Sequence, residues 1–162
     1  MKNKGTRFIT SSAIIAALYV VLTMLANALG LANFAIQLRF SEALTILPLF
    51  TGAAIPGLFV GCLISNLISG CVIWDVIFGS LATLIGAIGT YLLRKKRFLP
   101  YLPPIISNTL IVPLVLVYAY GMEGTLPFFM LTVAMGEILS CGVLGYFLCC
   151  GLKKYEKHIK WK

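Results

Sequence analysis

The stretch FITSSAIIAALYVVLTMLANAL (Phe8–Leu29) decides the fold class of this chain. It carries no Asp, Glu, Lys or Arg over 22 residues, and about 20 apolar residues suffice for a helix to cross the hydrocarbon core of a bilayer. A basic start, an apolar run and the small-residue triplet ANA also resemble a secretory signal. The run is long for a signal region, so we expect it to be retained as a helix.

The composition of the whole chain supports the same class. Of its 162 residues, 60% are hydrophobic and only 11% are charged, whereas about a quarter of the residues in a soluble domain are charged. A soluble protein of this size has too much surface to cover with so few charges. We therefore expect an all-α integral membrane protein.

Five further apolar segments follow the first one, and the loops between them are short. The expected spans cover residues 8–29, 41–52, 55–69, 74–93, 102–120 and 126–150. This pattern predicts one six-helix transmembrane domain over residues 1–162, located in the cell membrane and in contact with lipid.

The net charge of +8 is concentrated at the ends of these spans. One basic cluster lies before the first span, a second is Arg94–Arg97, and a third is a lysine-rich C-terminal segment. Such clusters mark the cytoplasmic side of a membrane protein. Six spans place all three clusters, and both termini, on that side. The basic residues do not share a face with aromatic platforms on a soluble domain, so no nucleic-acid partner is expected.

The segment AIQLRFSEALTILP (Ala35–Pro48) concentrates polarity in this apolar chain. Gln37, Arg39 and Ser41 alternate with apolar neighbours, which predicts an extended segment with one polar face. Ser41 then suits a helix N-cap and Glu42 the first helical turn. Two interpretations remain open for the outer loop 30–40: a lid across a pocket, or a solvated loop with an Arg39–Glu42 ion pair of little worth.

Besides Glu42, two carboxylates in or beside the spans are candidate site residues. Glu137 is about eleven residues into the sixth span, roughly 16 Å deep at 1.5 Å per residue. A carboxylate at this depth is expensive, which indicates a ligand contact or a proton carrier; the alternative is a buried hydrogen bond to Ser or Asn on a facing helix. Asp75 follows Trp74 at the outer start of the fourth span, where it is either a site residue or a complement to the helix dipole.

Small residues at four-residue spacing predict close helix contacts. Ala13 and Ala17 form such a pair in the first span, and Gly57 and Gly61 form one in the third. Intramolecular packing and docking to a partner both fit these pairs.

No catalytic or energy-supplying motif is recognisable. The five cysteines form no CxxC pair, and the GxSxG, HExxH and GxxxxGK[ST] patterns are absent. We therefore expect neither an enzyme nor a metal or other cofactor. Two function classes remain: a binding subunit that depends on a separate ATPase, or a self-sufficient proton- or cation-coupled carrier that uses Glu137.

Four segments together resemble the QueT family, the substrate-binding S components of energy-coupling factor (ECF) transporters, which are assigned to queuosine precursors. The segments are IQLRFSEALTILPLFTGAAIPGLFVGCLISNLI, WDVIFGSLATLIGA, LPPIISNTLIV and GEILSCGVLG. The resemblance covers nearly the whole chain in the same order, and the run from Gln37 to Gly61 is its most specific part.

The resemblance implies a function and a set of partners. S components have six helices with both termini cytoplasmic, and they bind a micronutrient from outside, often under the loop after the first helix. They associate with a transmembrane coupling protein and two ATPase subunits, typically through an AxxxA motif, which here is Ala13 and Ala17. The implied substrate is a deazaguanine of the 7-aminomethyl-7-deazaguanine type, and another small vitamin-like nutrient is the alternative.

The chemistry of such a ligand selects the candidate contacts. Carboxylates suit its donor-rich edge and cationic aminomethyl group, amide and guanidinium groups suit its carbonyl, and aromatic rings suit its flat face. The expected substrate-binding residues are Glu137, Asp75, Glu42, Asn66, Gln37, Arg39, Trp74, Tyr118 and Asn108.

Overall fold

In the computed structural model, which describes residues 4–31, 38–96 and 98–154, every regular element is helical. The predicted all-α class is thus confirmed. The α-helices are α1 (Lys4–Ala28), α2 (Ala54–Ile68), α3 (Ile73–Leu92), α4 (Leu102–Tyr118), α5 (Leu126–Glu137) and α6 (Gly145–Lys153). Two 3₁₀ helices, Phe40–Leu49 and Leu99–Tyr101, and a π-helical segment, Ile138–Leu144, complete the described regular structure.

Within the described residues, four helical stretches are long and apolar enough to cross a membrane. They are α1, α3, the continuous stretch Leu99–Tyr118 and the continuous stretch Leu126–Lys153. Large apolar side chains remain on the outside, including Ile9 (68% exposed), Leu92 (72%) and Phe147 (67%). Since water disfavours such exposure, these surfaces suit a lipid environment.

The second and third expected spans are shorter than a bilayer crossing. In place of an α-helix over 41–52, the chain forms the ten-residue 3₁₀ helix Phe40–Leu49. At about 2.0 Å per residue, this helix is roughly 20 Å long. The third, α2, has 15 residues and is about 22 Å long at 1.5 Å per residue. Both are shorter than the hydrocarbon core of about 30 Å.

The 3₁₀ helix Phe40–Leu49 lies inside the bundle. It packs against α1, α3, α6 and the π segment, and most of its side chains are buried. Backbone that departs from the α-helix is tolerated at membrane depth when protein surrounds it. Ser41 was predicted to cap this helix, but the helix begins at Phe40, and Arg39 occupies the capping position with an extended backbone (φ −109°, ψ 106°). The prediction for Ser41 was wrong, whereas Glu42 does lie in the first turn.

Two glycines allow α1 and α2 to approach closely. A Cβ at Gly57 would lie 2.7 Å from the Ser12 carbonyl oxygen, and one at Gly61 would lie 2.7 Å from the Tyr19 Cβ. Small residues permit this kind of contact between membrane helices. For this pair the structure therefore supports intramolecular packing.

Gly61→Ala should destabilise the bundle, because the added methyl group must displace the backbone of α1. Overpacking of this kind costs about 1–3 kcal/mol. Thermal unfolding in detergent measures the effect. Gly151→Ala is the matched control: this glycine also lies in a helix, but nothing lies within 4 Å of an added Cβ. Equal melting temperatures for the two variants would contradict the packing role of Gly61.

Candidate functional site

A polar cavity of about 380 Å³ lies at the end of the bundle where α1, α2 and α4 end and α3 begins. This volume falls at the lower end of the usual range for small-molecule sites, about 300–1,000 Å³. The lining combines both signs of charge with amides, hydroxyls and a few apolar side chains: Thr23, Asn27, Arg39, Asn66, Ser69, Cys71, Asp75, Val112, Leu116, Tyr120 and Met122.

Asp75 belongs to the first turn of α3 and also lines this cavity. Its carboxylate accepts a hydrogen bond from the Tyr120 hydroxyl at 3.0 Å, and its backbone carbonyl accepts one from the Asn66 amide at 3.4 Å. Asp75 can therefore complement the dipole of α3 and line the cavity at the same time, because the amino end of α3 points at the cavity.

Arg39 supplies the positive charge of the cavity. Burial lowers the pKa of the Arg39 guanidinium, but neighbouring acidic groups, Asp75 first among them, together outweigh this effect and raise the pKa above its ordinary value. The Arg39 backbone N–H donates to the Ser140 hydroxyl at 3.3 Å, which ties the start of the 3₁₀ helix to the π segment. The cavity therefore offers a cation and a carboxylate held by separate elements.

Beneath the cavity lies a buried polar network centred on two glutamates. Glu42 is 1% exposed and Glu137 is 7% exposed. The Asn108 amide donates to Glu137 Oε1 at 3.0 Å and makes a longer contact of 3.5 Å with Glu42 Oε2. The Tyr19 hydroxyl donates to the other oxygen of Glu42, and the Cys141 thiol lies 3.1 Å from Glu137 Oε2.

This network joins five elements of the fold. Tyr19 comes from α1, Glu42 from the 3₁₀ helix, Asn108 from α4, Glu137 from the end of α5 and Cys141 from the π segment. Because buried polar groups that are fully hydrogen-bonded fix a single arrangement of their helices, the network makes a rigid floor for the cavity above it. Thr23 connects the cavity to the 3₁₀ helix of the network, since it lines the cavity and donates to the Ser41 hydroxyl at 2.8 Å.

The same network contains the described cluster that most resembles a metal site. Ligand atoms of Glu42, Glu137 and Cys141 lie within 4.8 Å of one another. Each of these groups already has hydrogen-bond partners inside the protein, so the geometry supplies no reason to assign a metal there.

The predicted site residues therefore divide into groups. Arg39, Asn66 and Asp75 meet in the cavity, and Glu42, Asn108 and Glu137 meet in the network beneath it. Gln37 lies outside the described residues. Among the described residues, Arg39 and Glu42 form no direct ion pair: Glu42 bonds to the Tyr19 hydroxyl, and its attraction to Arg39 acts at longer range.

Trp74 and Tyr118 lie elsewhere. They line an apolar groove of about 600 Å³ between α3 and α4 on the outside of the bundle, and they are 55% and 81% exposed. This position suits membrane-interface anchors and does not support the stacking role expected for them. Tyr120, which was not among the predicted site residues, lines the cavity instead.

The expected docking pair lies on the surface. Ala13 and Ala17 are exposed on α1, while Ile15, Ala16 and Tyr19 face the bundle. The outward position leaves the pair available to a partner helix, and its docking role remains a prediction.

These features define a multi-pass helical membrane protein with a polar cavity suited to a small molecule. Residues 9–154 match the family model described as QueT transporter, and the chain belongs to the QueT transporter family. Comparisons with curated proteins and with solved structures found no match. Because the family is one of transporters, the site is a candidate for substrate binding rather than for catalysis.

Asn108→Ala should destabilise the protein markedly. Both glutamates would lose a donor while remaining buried, and each unsatisfied buried group costs about 1–3 kcal/mol, more when charged. Thr109→Val is the control on the same helical turn, since the Thr109 hydroxyl has no hydrogen-bond partner among the described residues. Thermal unfolding should show a large loss for the first variant and none for the second. Comparable stability of both would contradict the bridging role of Asn108.

Proposed function

We propose that this chain is the S component of an ECF transporter and captures a queuosine precursor of the 7-aminomethyl-7-deazaguanine type from outside the cell. The observation that carries the proposal is a cavity that holds Arg39 and Asp75 together, in a chain of the QueT transporter family. Six membrane-embedded helical segments with both termini in the cytoplasm, and the cavity at the outer side, are part of the proposal.

The ligand and the cavity are chemically complementary. A deazaguanine presents N–H donors and a carbonyl acceptor along one edge, and its aminomethyl group is a cation. The Asp75 carboxylate accepts from N–H groups or from the ammonium group, and a guanidinium such as that of Arg39 donates to a ring carbonyl. The Asn66 amide, beside Asp75, supplies both a donor and an acceptor.

Glu42, Asn108 and Glu137 contribute beneath the ligand in this proposal. They hold the floor of the cavity in one arrangement and keep the 3₁₀ helix, and with it Arg39, in place. The lid expected for the outer loop 30–40 remains a prediction, because residues 32–37 lie outside the described residues.

Energy comes from partners in this proposal: a transmembrane coupling protein and two ATPase subunits. Reconstitution of the chain alone in vesicles distinguishes it from a self-sufficient carrier. Uptake of labelled ligand should require the complete complex and ATP. Robust uptake by this chain alone would overturn the subunit assignment.

Asp75→Asn should weaken binding of 7-aminomethyl-7-deazaguanine. A hydrogen bond to a charged group contributes about 1.5–3 kcal/mol, and 1.4 kcal/mol is tenfold in affinity, so the expected loss is roughly ten- to a hundredfold. Calorimetric titration in detergent measures it. Glu123→Gln, the same kind of change at an exposed loop position, is the control and should bind normally. An unchanged affinity for Asp75→Asn would remove Asp75 from the site.

Ala13→Leu should impair assembly with the coupling protein and leave ligand binding intact. The larger side chain holds the partner helix away from α1, because close contacts between membrane helices depend on small residues. Co-purification with the tagged coupling protein reports assembly, and titration reports binding. Ala28→Leu is the control, as Ala28 is also exposed but lies at the opposite end of α1. Normal assembly of Ala13→Leu would remove the docking assignment.

A further inference from the structure

Tyr120 makes two hydrogen bonds at the rim of the cavity. It lies in the segment between α4 and α5, two residues beyond the end of α4. Its hydroxyl donates to Asp75 Oδ2 at 3.0 Å and accepts from the Val72 backbone N–H at 3.4 Å. One hydroxyl therefore contacts both the residue that precedes α3 and a carboxylate in its first turn.

This arrangement resembles a capping box that is closed by a residue from elsewhere in the chain. In the usual box, an acidic or amide side chain at the third helical position bonds directly to the N–H of the N-cap residue. Asp75 occupies the third position of α3 and Val72 the N-cap, and here the Tyr120 hydroxyl lies between them. The link commits one oxygen of the Asp75 carboxylate, Oδ2, to a partner within the protein.

The second oxygen of Asp75 lies beside the Asn66 amide. A Cβ added at Gly79 would be 3.1 Å from Asp75 Oδ1 and 3.2 Å from Asn66 Nδ2. The absence of a side chain at Gly79 thus leaves room for the carboxylate and the amide next to each other in the cavity wall. Together they can meet a ligand edge that carries an N–H donor next to a second polar group.

The Tyr120 hydroxyl remains a donor over the physiological pH range. Burial raises the pKa of Tyr120, and the neighbouring Asp75 charge raises it further. The hydroxyl is therefore protonated and able to donate to Oδ2 of Asp75.

We propose, building on the function proposed above, that Tyr120 is a positioning residue for substrate recognition. It holds Oδ2 of Asp75 so that Oδ1 is presented to one N–H or ammonium group of the ligand. Tyr120 acts through Asp75, so its contribution to affinity exists only while the Asp75 carboxylate is present. A purely structural tyrosine that caps α3 would influence binding in the same way with or without that carboxylate.

A double-mutant cycle separates these two roles. Affinity for 7-aminomethyl-7-deazaguanine is measured by calorimetric titration for the unchanged protein, Tyr120→Phe, Asp75→Asn and the double variant. Tyr120→Phe should bind about tenfold more weakly, the loss expected when one hydrogen bond to a charged group is removed. In the Asp75→Asn background, Tyr120→Phe should change affinity by less than about twofold, because the effects of coupled residues do not add.

Tyr91→Phe is the matched control. It removes the same kind of hydroxyl group from another tyrosine. Tyr91 lies in α3, 16 residues after Asp75, which is roughly 24 Å along the helix. It should leave the affinity unchanged. The melting temperature of each ligand-free variant confirms that the protein is folded before titration.

Several results would overturn the inference. Normal affinity of Tyr120→Phe, or a further tenfold loss in the Asp75→Asn background, assigns Tyr120 a structural role only. Failure of Tyr120→Phe to fold assigns the tyrosine a structural role and overturns the inference. Gly79→Ala independently tests whether Oδ1 meets the ligand, since its methyl group crowds Oδ1 and the Asn66 amide; unchanged affinity there would also overturn the inference. Absence of binding by the unchanged protein would reject the proposed function itself, together with this deepening of it.

Discussion

A carboxylate inside an apolar helical bundle must find partners in the protein, and this constraint organises the whole structure. Glu42 and Glu137 are both buried, and Asn108 places its amide between them. Each glutamate then recruits a second donor, Tyr19 from α1 for the first and Cys141 from the π segment for the second. Providing hydrogen-bond partners for two buried carboxyl groups in this way brings five separate elements together at one point of the bundle.

The irregular elements are the local consequence of that meeting point. The 3₁₀ helix brings Glu42 to the centre of the bundle, and the π segment begins directly after Glu137. A π-helical turn inserts an extra residue into each hydrogen-bonded ring, and such turns often accompany functional sites. Here it allows Cys141 to approach both Glu137 and the Glu42 carbonyl oxygen, at 3.1 and 3.4 Å. The long helices supply the membrane-spanning length and most of the cavity wall, and the irregular segments add Glu42 and Cys141 to the network beneath it.

Features that depend on neighbouring residues in the sequence were predictable, whereas features that depend on contacts between distant elements were not. The membrane class and the long helices α1 and α3 depend on apolar composition over about 20 residues, which a sequence displays directly. That Glu137 is satisfied by an Asn on a facing helix was one of the two interpretations its depth allowed. The 3₁₀ form of 40–49 was not predictable, because it depends on burial against elements that are distant in the sequence. Similarly, Tyr118 and Tyr120 differ by two positions, and only the end of α4 decides which of them reaches the cavity.

The polar segment around Arg39 and Glu42 connects the cavity with the buried network beneath it. Arg39 is extended and points to the cavity, whereas Glu42, one turn into the 3₁₀ helix, points to the network beneath. The π segment contacts both ends of this short piece, through Ser140 to the Arg39 N–H and through Cys141 to the Glu42 carbonyl. The two charges therefore do not pair with each other. Because Arg39 and Glu42 lie three residues apart and the same π segment binds the backbone of both, one short piece of chain links the cation of the cavity to the glutamate network.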